Sequence, residues 1–153
     1  MVLFSIRILQ VIKGVIAMVK VIMGLKGSGK TKKMIELVNS AIDTEKGSVV
    51  CIERGNKMRY NINYKARLID ISHYSIESFE MLEGFISGLY ASNYDITHVF
   101  IDNLMKAGGE DDLGKAGKFL EWLDKFGEGN NVKFTVTISE AVEDATEEIR
   151  KYF

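Results

Sequence analysis

Short apolar runs alternate with longer segments of helical periodicity along most of the chain. The runs VKVIM, SVVCIE, ARLIDI, ITHVFID and VKFTVTI are nearly continuous, which is typical of parallel strands buried on both faces. They predict strands at 19–23, 48–53, 66–71, 96–102 and 132–138. Apolar residues spaced three and four apart predict helices at 30–42, at 75–89 with Ser75 as its cap, at 112–126 closed by Gly127, and at 140–153. Residues 54–64 and 103–111 are predicted loops.

This alternation predicts an α/β fold, a three-layer sandwich with a mostly parallel sheet of about five strands. Ligands bind at the carboxyl ends of the strands in such sheets. The residues that follow each predicted strand are therefore the candidate site residues.

The most informative segment follows the first strand and reads Gly24-Leu25-Lys26-Gly27-Ser28-Gly29-Lys30-Thr31. It fits the phosphate-binding pattern G-x-x-x-x-G-K-[ST] at every fixed position. Backbone N–H groups of such a loop, and of the helix after it, can bind phosphate oxygens. Lys30 would contact the outer phosphates and the Thr31 hydroxyl would ligate Mg²⁺. We therefore predict a nucleoside triphosphate ligand, with ATP favoured because no guanine-reading N-K-x-D motif is present.

A second candidate metal ligand, Asp102, ends the apolar strand HVFID. In P-loop proteins a carboxylate here holds Mg²⁺ opposite the loop threonine. Because Asn103 rather than a glutamate follows Asp102, Glu53 at the end of the second strand is the candidate base for hydrolysis. Ser139, after the last strand, could sense the terminal phosphate. Three arginines could neutralise transition-state charge, within the chain or across a homo-oligomer boundary: Arg54, Arg59 and Arg150.

Length and composition indicate a single domain of 153 residues with a net charge of −1. The charge is uneven, because residues 1–69 carry 13 Lys/Arg against 4 Asp/Glu and residues 70–153 carry 7 against 17. The single cysteine, Cys51, suits a reducing compartment, so we predict a cytoplasmic protein with Cys51 as a core residue. His98, on a strand, is predicted to be packed or hydrogen-bonded.

Residues 1–17 are apolar, but Arg7, Gln10 and Lys13 interrupt them too often for a membrane span. We predict that Met18 is the natural start, that 1–17 is a translated leader and that 18–153 is the working domain. The alternative is a short helix that binds a membrane surface or a partner.

A small basic and aromatic patch lies in the predicted loop after the second strand. It comprises Arg54, Lys57, Arg59 and Tyr60. Such a patch could bind nucleic acid or a nucleotide substrate, but four residues are a weak signal and a solvated loop is the favoured interpretation.

The glycine loop together with VFIDN resembles the short P-loop proteins of clostridia and related bacteria, some of which are labelled ATP-binding or twitching-motility-ATPase-like. The resemblance covers residues 18–153. It implies a reduced RecA-like P-loop NTPase core of the ASCE type, with residues 24–31 as Walker A and Asp102 as Walker B. It does not imply motility, because the additional domain and the His- and Asp-containing motifs of the twitching motor are absent from the sequence.

These observations favour a small Mg²⁺-dependent ATP-binding protein whose hydrolysis is slow or stimulated by a partner. Two alternatives stay open. One is a nucleoside or nucleotide kinase, although no zinc-binding lasso or arginine-rich lid is present in the sequence. The other is a nucleotide-dependent switch or assembly module in which binding matters and turnover does not.

Overall fold

The computed structural model describes residues 17–153, in which five strands form one parallel sheet. In chain order the strands are β1 (Val19–Met23), β2 (Ser48–Glu53), β3 (Arg67–Asp70), β4 (Ile96–Ile101) and β5 (Lys133–Ile138). They lie in the order β1-β5-β4-β2-β3, and every neighbouring pair is parallel. The predicted α/β fold with a parallel sheet of about five strands is thus confirmed. The predicted leader lies outside the described residues except for residue 17.

Residues 17–153 also contain five α-helices and two short 3-10 helices, which lie between the strands or after the last one. The α-helices are α1 (Lys30–Thr44), α2 (Phe79–Ser92), α3 (Leu104–Gly108), α4 (Leu113–Asn130) and α5 (Glu147–Arg150). The 3-10 helices are Ile71–His73 and Val142–Asp144. In this part of the chain, no helix combines the length and the apolar character needed to cross a membrane.

Alternate residues of the central strands enter two separate hydrophobic cores. Val50 and Ile52 of β2 belong to the larger core, which α2 and α4 cover. Val49 and Cys51 belong to the smaller core, which α1 covers. Successive strand residues point to opposite faces of a sheet, so helices flank both faces, as a three-layer sandwich requires. Cys51 is a fully buried core residue, as predicted, and burial raises the pKa of its thiol.

The predicted start of α2 is wrong by one turn. Its N-cap is Ser78, whose side chain accepts a hydrogen bond from the backbone of the first turn, and not Ser75. A tight turn delays the helix, because the Ile76 N–H donates to Tyr74 and the Ile76 carbonyl accepts a 2.6 Å hydrogen bond from Arg54. The Arg54 contact comes from a distant part of the chain, so local periodicity does not reveal it.

Two predictions that relied on glycines are wrong. The predicted loop 103–111 contains α3. Gly109, the residue after this helix, has the left-handed conformation (φ 64°). The helix predicted to stop at Gly127 continues to Asn130, and Asn131 (φ 56°) is the left-handed residue after it. A Cβ at Gly127 would clash with the Val132 carbonyl oxygen. Gly127 therefore permits close approach of the chain rather than ending the helix.

The predicted C-terminal helix 140–153 is also wrong, because only Val142–Asp144 and α5 are helical there. The Arg150 guanidinium donates to the carbonyls of Ala145 and Val142, both at 3.1 Å, and so supports extended backbone at Ala145. The Tyr152 carbonyl accepts from the N–H of Val21 at 2.8 Å. The C-terminal segment therefore provides a hydrogen-bond acceptor for a backbone N–H of the edge strand β1.

Candidate functional site

The glycine loop between β1 and α1 encloses its own lysine. Gly27 and Gly29 have φ values of +87° and +88°, which disfavour any residue with a Cβ. The Lys30 side chain is only 8% exposed. Its ammonium group donates to the Leu25 carbonyl at 2.8 Å and to Ser28 Oγ at 3.3 Å. The loop therefore holds Lys30 in place through the Leu25 carbonyl and the Ser28 hydroxyl.

The first turn of α1 is basic and has no side-chain cap. Its N-cap is Gly29, and no acidic residue lies in the turn, where Lys30, Lys32 and Lys33 are found. Positive charge at a helix N-terminus opposes the helix dipole, so three lysines there are unfavourable unless an anion is present. Free N–H groups and this positive charge make the turn suitable for binding an anion.

The loop opens onto a cavity of about 440 Å³ at the carboxyl ends of β1, β4 and β5. Five lysines and one carboxylate are among the side chains that line it. The lining residues are Lys26, Gly27, Gly29, Lys30, Thr31, Lys32, Lys57, Asp102, Asn103, Lys106 and Ser139. We call this cavity the lysine cleft. The structure thus brings the glycine loop, Asp102 and Ser139 together.

Asp102 is held at the wall of the lysine cleft by a threonine from β5. Asp102 is 8% exposed, and its Oδ1 accepts a 2.9 Å hydrogen bond from Thr137 Oγ1. The same hydroxyl accepts a 2.7 Å hydrogen bond from the backbone N–H of Asn103, whose φ is +53°. Thr137 therefore fixes both the carboxylate and the turn that follows it.

Several residues of this site are not identified from the sequence pattern. Thr137 is fully buried. The feature of the sequence that could have identified it is a hydroxyl residue near the carboxyl end of an apolar strand. Lys32 and Lys106 line the cleft, and Lys57, predicted only as part of the basic patch, does so as well. Their convergence depends on the order of the strands, which a single sequence does not display.

Burial and charge act in opposite directions on Lys30. Burial lowers the pKa of its ammonium group, and the negative charge of Asp102 opposes that shift. The net direction is downward. A further negative ligand in the cleft would favour the charged form of Lys30.

Glu53 is buried, and its carboxylate supports the backbone of the next loop. It is 2% exposed, and its two oxygens accept hydrogen bonds from the N–H groups of Lys57 at 3.0 Å and Met58 at 3.1 Å. Burial raises the pKa of Glu53, and the charges of Asp102 and Asp70 add to the rise, against the lowering effect of the backbone donors. Among the described lining residues of the cleft, Lys57 is present and Glu53 is not.

Two of the three candidate arginines bind backbone carbonyls. Arg54 donates to the Lys106 carbonyl at 2.8 Å and to Ile76, which ties the segment after β2 to α3. Arg150 stabilises the C-terminal turn. Arg59 lies instead at a second cavity, described below.

His98, on β4, is packed and hydrogen-bonded as predicted. Its Nδ1 lies 3.1 Å from Glu45 Oε1 and its Nε2 lies 2.8 Å from Thr135 Oγ1. The ring stacks on Phe100 with a centroid distance of 4.0 Å. Burial lowers the pKa of His98 to about 4, although the Glu45 carboxylate opposes the shift. His98 is therefore neutral at pH 7 and serves the core.

No protein-family model matches the chain, and a search of curated proteins finds no significant match. Function must therefore be inferred from the residues and geometry of the site.

Proposed function

We propose that the protein is a Mg²⁺-dependent ATP-binding protein of the P-loop NTPase type whose hydrolysis is slow or stimulated by a partner. The observation that supports this most is the lysine cleft itself. Lys30, Thr31 and Asp102, assigned to phosphate and metal from their positions in the sequence, line one cavity whose side chains carry five positive charges and one negative charge. Such an excess of cations suits a polyphosphate.

The order of the sheet supports the ATPase branch of P-loop folds over the simple kinase branch. β5 lies between β1, which precedes the glycine loop, and β4, which ends at Asp102. This intervening strand, β5, also supplies Thr137, which holds Asp102.

The residues present fit a Mg²⁺ ion that is bound together with the nucleotide. In residues 17–153 no group of three His, Cys, Asp or Glu side chains is arranged to hold a metal. Mg²⁺ commonly binds through one or two protein oxygens, water and substrate phosphates, so Thr31 and Asp102 would suffice. When bound, the ion would neutralise charge on the outer phosphates.

The acidic groups near the cleft support slow turnover. Asp102 is the one carboxylate among the described lining residues, and both oxygens of Glu53 already accept backbone hydrogen bonds. Glu53 could activate a water molecule only if these backbone hydrogen bonds were broken. Otherwise a partner would have to supply the base. The same observation favours, as a second candidate, a switch in which ATP binding matters and hydrolysis does not.

The test is binding and turnover of ATP by the full chain, with Mg²⁺ and with a chelator. We expect binding that Lys30→Ala abolishes and that Asp102→Asn makes insensitive to Mg²⁺. Lys125→Ala, which removes an exposed lysine of α4, is the matched charge control and should bind normally. GTP and ADP establish base and phosphate preference.

Phosphate release separates the candidate functions. Release that Asp102→Asn abolishes indicates an ATPase, and tight binding without release indicates the switch. Transfer of phosphate to a nucleoside would instead identify a kinase. If the parent chain binds no nucleoside triphosphate, or if Lys30→Ala and Lys125→Ala bind equally well, the proposal is wrong.

A further inference from the structure

A second cavity, of about 420 Å³, lies beside the segment that joins β2 to β3. Its lining combines an apolar floor with amide, guanidinium, carboxylate and imidazole groups. The lining residues are Gly55, Asn56, Arg59, Ile62, Asn63, Tyr64, Ala66, Leu68, Asp70 and His73. The proposed ATP site does not account for this cavity, because the two sets of lining residues share no member.

The segment beside this cavity, residues 54–67, is strongly basic and aromatic. We call it the basic loop. It contains five Lys/Arg and no Asp/Glu. Arg54 is occupied by backbone carbonyls and Lys57 lies at the lysine cleft, which leaves Arg59, Lys65 and Arg67 for another anion.

Two tyrosines of the basic loop are almost fully exposed. Tyr60 and Tyr64 are each 89% exposed, and the guanidinium of Arg59 lies 5.7 Å from the centre of the Tyr60 ring. Large aromatic side chains lose favourable burial when they are left in water. Exposed aromatic faces next to cations are the combination with which proteins bind single-stranded nucleic acid, because bases stack on the rings and phosphates pair with the cations.

The basic loop is also held in place, so its exposed rings are displayed from a fixed backbone. Met58 is fully buried in the smaller core, and the Glu53 carboxylate binds two backbone N–H groups beside it. From α1, Asn39 donates to the Asn61 carbonyl and accepts from the Asn63 N–H, both at 2.8 Å. A preorganised loop loses less conformational entropy when a ligand binds.

We propose that the basic loop and its cavity bind single-stranded nucleic acid, with one unstacked base in the cavity. Ile62 and Leu68 offer an apolar surface to that base, and the side-chain NH₂ of Asn63, whose Oδ1 accepts from the Lys65 N–H, offers donors to its edge. Asp70 Oδ1 accepts from the N–H groups of Gly55 and Ser72, and its Oδ2 lies 3.5 Å from Nε2 of His73, which also lines the cavity, so the Asp70–His73 pair offers polar groups to the edge of a base. This site is separate from the proposed nucleotide site.

The test is fluorescence anisotropy of labelled oligothymidine and oligouridine of about 15 nucleotides with the full chain. We expect binding, and a plot of the logarithm of the association constant against the logarithm of the salt concentration should have a slope of about −2. Three phosphate contacts by the basic loop predict this value. Tyr64→Ala should weaken binding about tenfold. Tyr94→Ala, which removes a 75% exposed tyrosine before β4, is the matched control and should have no effect. Preference between the two oligomers shows whether DNA or RNA is the natural ligand.

The charge variants test the phosphate contacts. Arg59→Gln should reduce the salt slope by about 0.7, whereas Lys125→Gln should leave it unchanged. Circular dichroism confirms that each variant is folded. The proposal is overturned if the parent binds neither oligomer at low salt, if polyglutamate competes as well as the oligomers, or if Tyr64→Ala and Tyr94→Ala behave alike.

Lys30→Ala separates this site from the proposed nucleotide site. We expect this variant to lose ATP binding and to bind the oligomers as the parent does. Equal loss of both ligands would place the oligomer in the lysine cleft and refute a second site. Oligomer binding in a chain that never bound ATP would refute only the proposed ATP function.

Discussion

The Thr137 hydroxyl provides the sharpest test of the proposed metal site, because Thr137→Val removes two hydrogen bonds and preserves the shape of the side chain. The hydroxyl accepts from the Asn103 N–H at 2.7 Å and donates to Asp102 Oδ1 at 2.9 Å. Thr137 is fully buried, so valine fits without a new cavity. Any effect must therefore arise from the lost hydroxyl and not from packing.

The expected magnitude follows from the two lost hydrogen bonds. A hydrogen bond to a carboxylate contributes about 1.5–3 kcal/mol, and a buried N–H left without a partner costs about 1–3 kcal/mol. Water in the cleft can replace the bond to Asp102 in part. We therefore expect the free energy of unfolding to fall by about 2 kcal/mol. Urea unfolding followed by the fluorescence of Trp122, the single tryptophan, measures this change.

The same substitution should change nucleotide binding in a metal-dependent way. Groups that orient a metal ligand commonly contribute about 10–100-fold to metal affinity. Thr137→Val should therefore reduce the gain in ATP affinity that Mg²⁺ provides by about tenfold, with less effect on affinity measured in a chelator. A residue that served only the core would not produce this difference.

Thr135→Val is the matched control on the same strand. Thr135 is also buried, and its hydroxyl bonds to His98 and not to the Asp102 turn. We expect it to cost about 1 kcal/mol of stability and to leave the effect of Mg²⁺ unchanged. If Thr137→Val and Thr135→Val affect the Mg²⁺ dependence equally, the assigned role of Thr137 and Asp102 is refuted.

Three further substitutions test the loop, the buried acid and the buried histidine. Gly29→Ala forces a Cβ onto a backbone at φ +88° and should cost about 1–2 kcal/mol in urea unfolding, whereas Gly84→Ala, in open space on α2, should stabilise by up to about 1 kcal/mol. Glu53→Gln replaces one of the two accepting oxygens by an NH₂ group, which cannot accept from a backbone N–H. The free energy of unfolding should therefore fall by about 1–3 kcal/mol. An unchanged value would contradict the contacts described. His98 has a folded-state pKa of about 4, below its unfolded value near 6.5, so protonation favours the unfolded chain and stability should fall by up to about 3 kcal/mol as the pH drops from 6.5 to 4. Urea titrations across that range should show a smaller fall for His98→Gln, and an equal fall in both proteins would contradict it.

The strands could be predicted from the sequence because each is a short apolar run with no competing helical period. The bounds predicted for β2 match those observed, and β1 is equally well defined. Helix ends were less predictable because contacts outside the helical hydrogen-bond pattern determine them. Arg54 holds the turn before α2, the approach of Val132 makes Gly127 a packing residue, and Arg150 supports extended backbone at Ala145.

The candidate site was partly predictable for a reason that lies in the fold class. Parallel strands bring their carboxyl ends to one edge of the sheet, so Asp102 and Ser139 could be placed near the glycine loop. The environment of Glu53 could not be predicted, since its burial depends on how the basic loop folds back over it. Thr137 was missed because its role depends on β5 lying beside β4.

The convergence of lysines gives the strongest physical reason to expect an anionic ligand. Lys26 and Lys30 come from the glycine loop and α1, whereas Lys57 follows β2 and Lys106 lies on α3. Like charges brought to one cavity repel one another, and Asp102 alone cannot balance them. A ligand that relieves this repulsion binds the folded chain and not the unfolded one, so it must raise the free energy of unfolding. Thermal unfolding with ATP, with pyrophosphate and with uncharged adenosine would therefore separate the role of the phosphates from that of the base. A site built around these lysines predicts that ATP and pyrophosphate stabilise the protein and that adenosine has little effect.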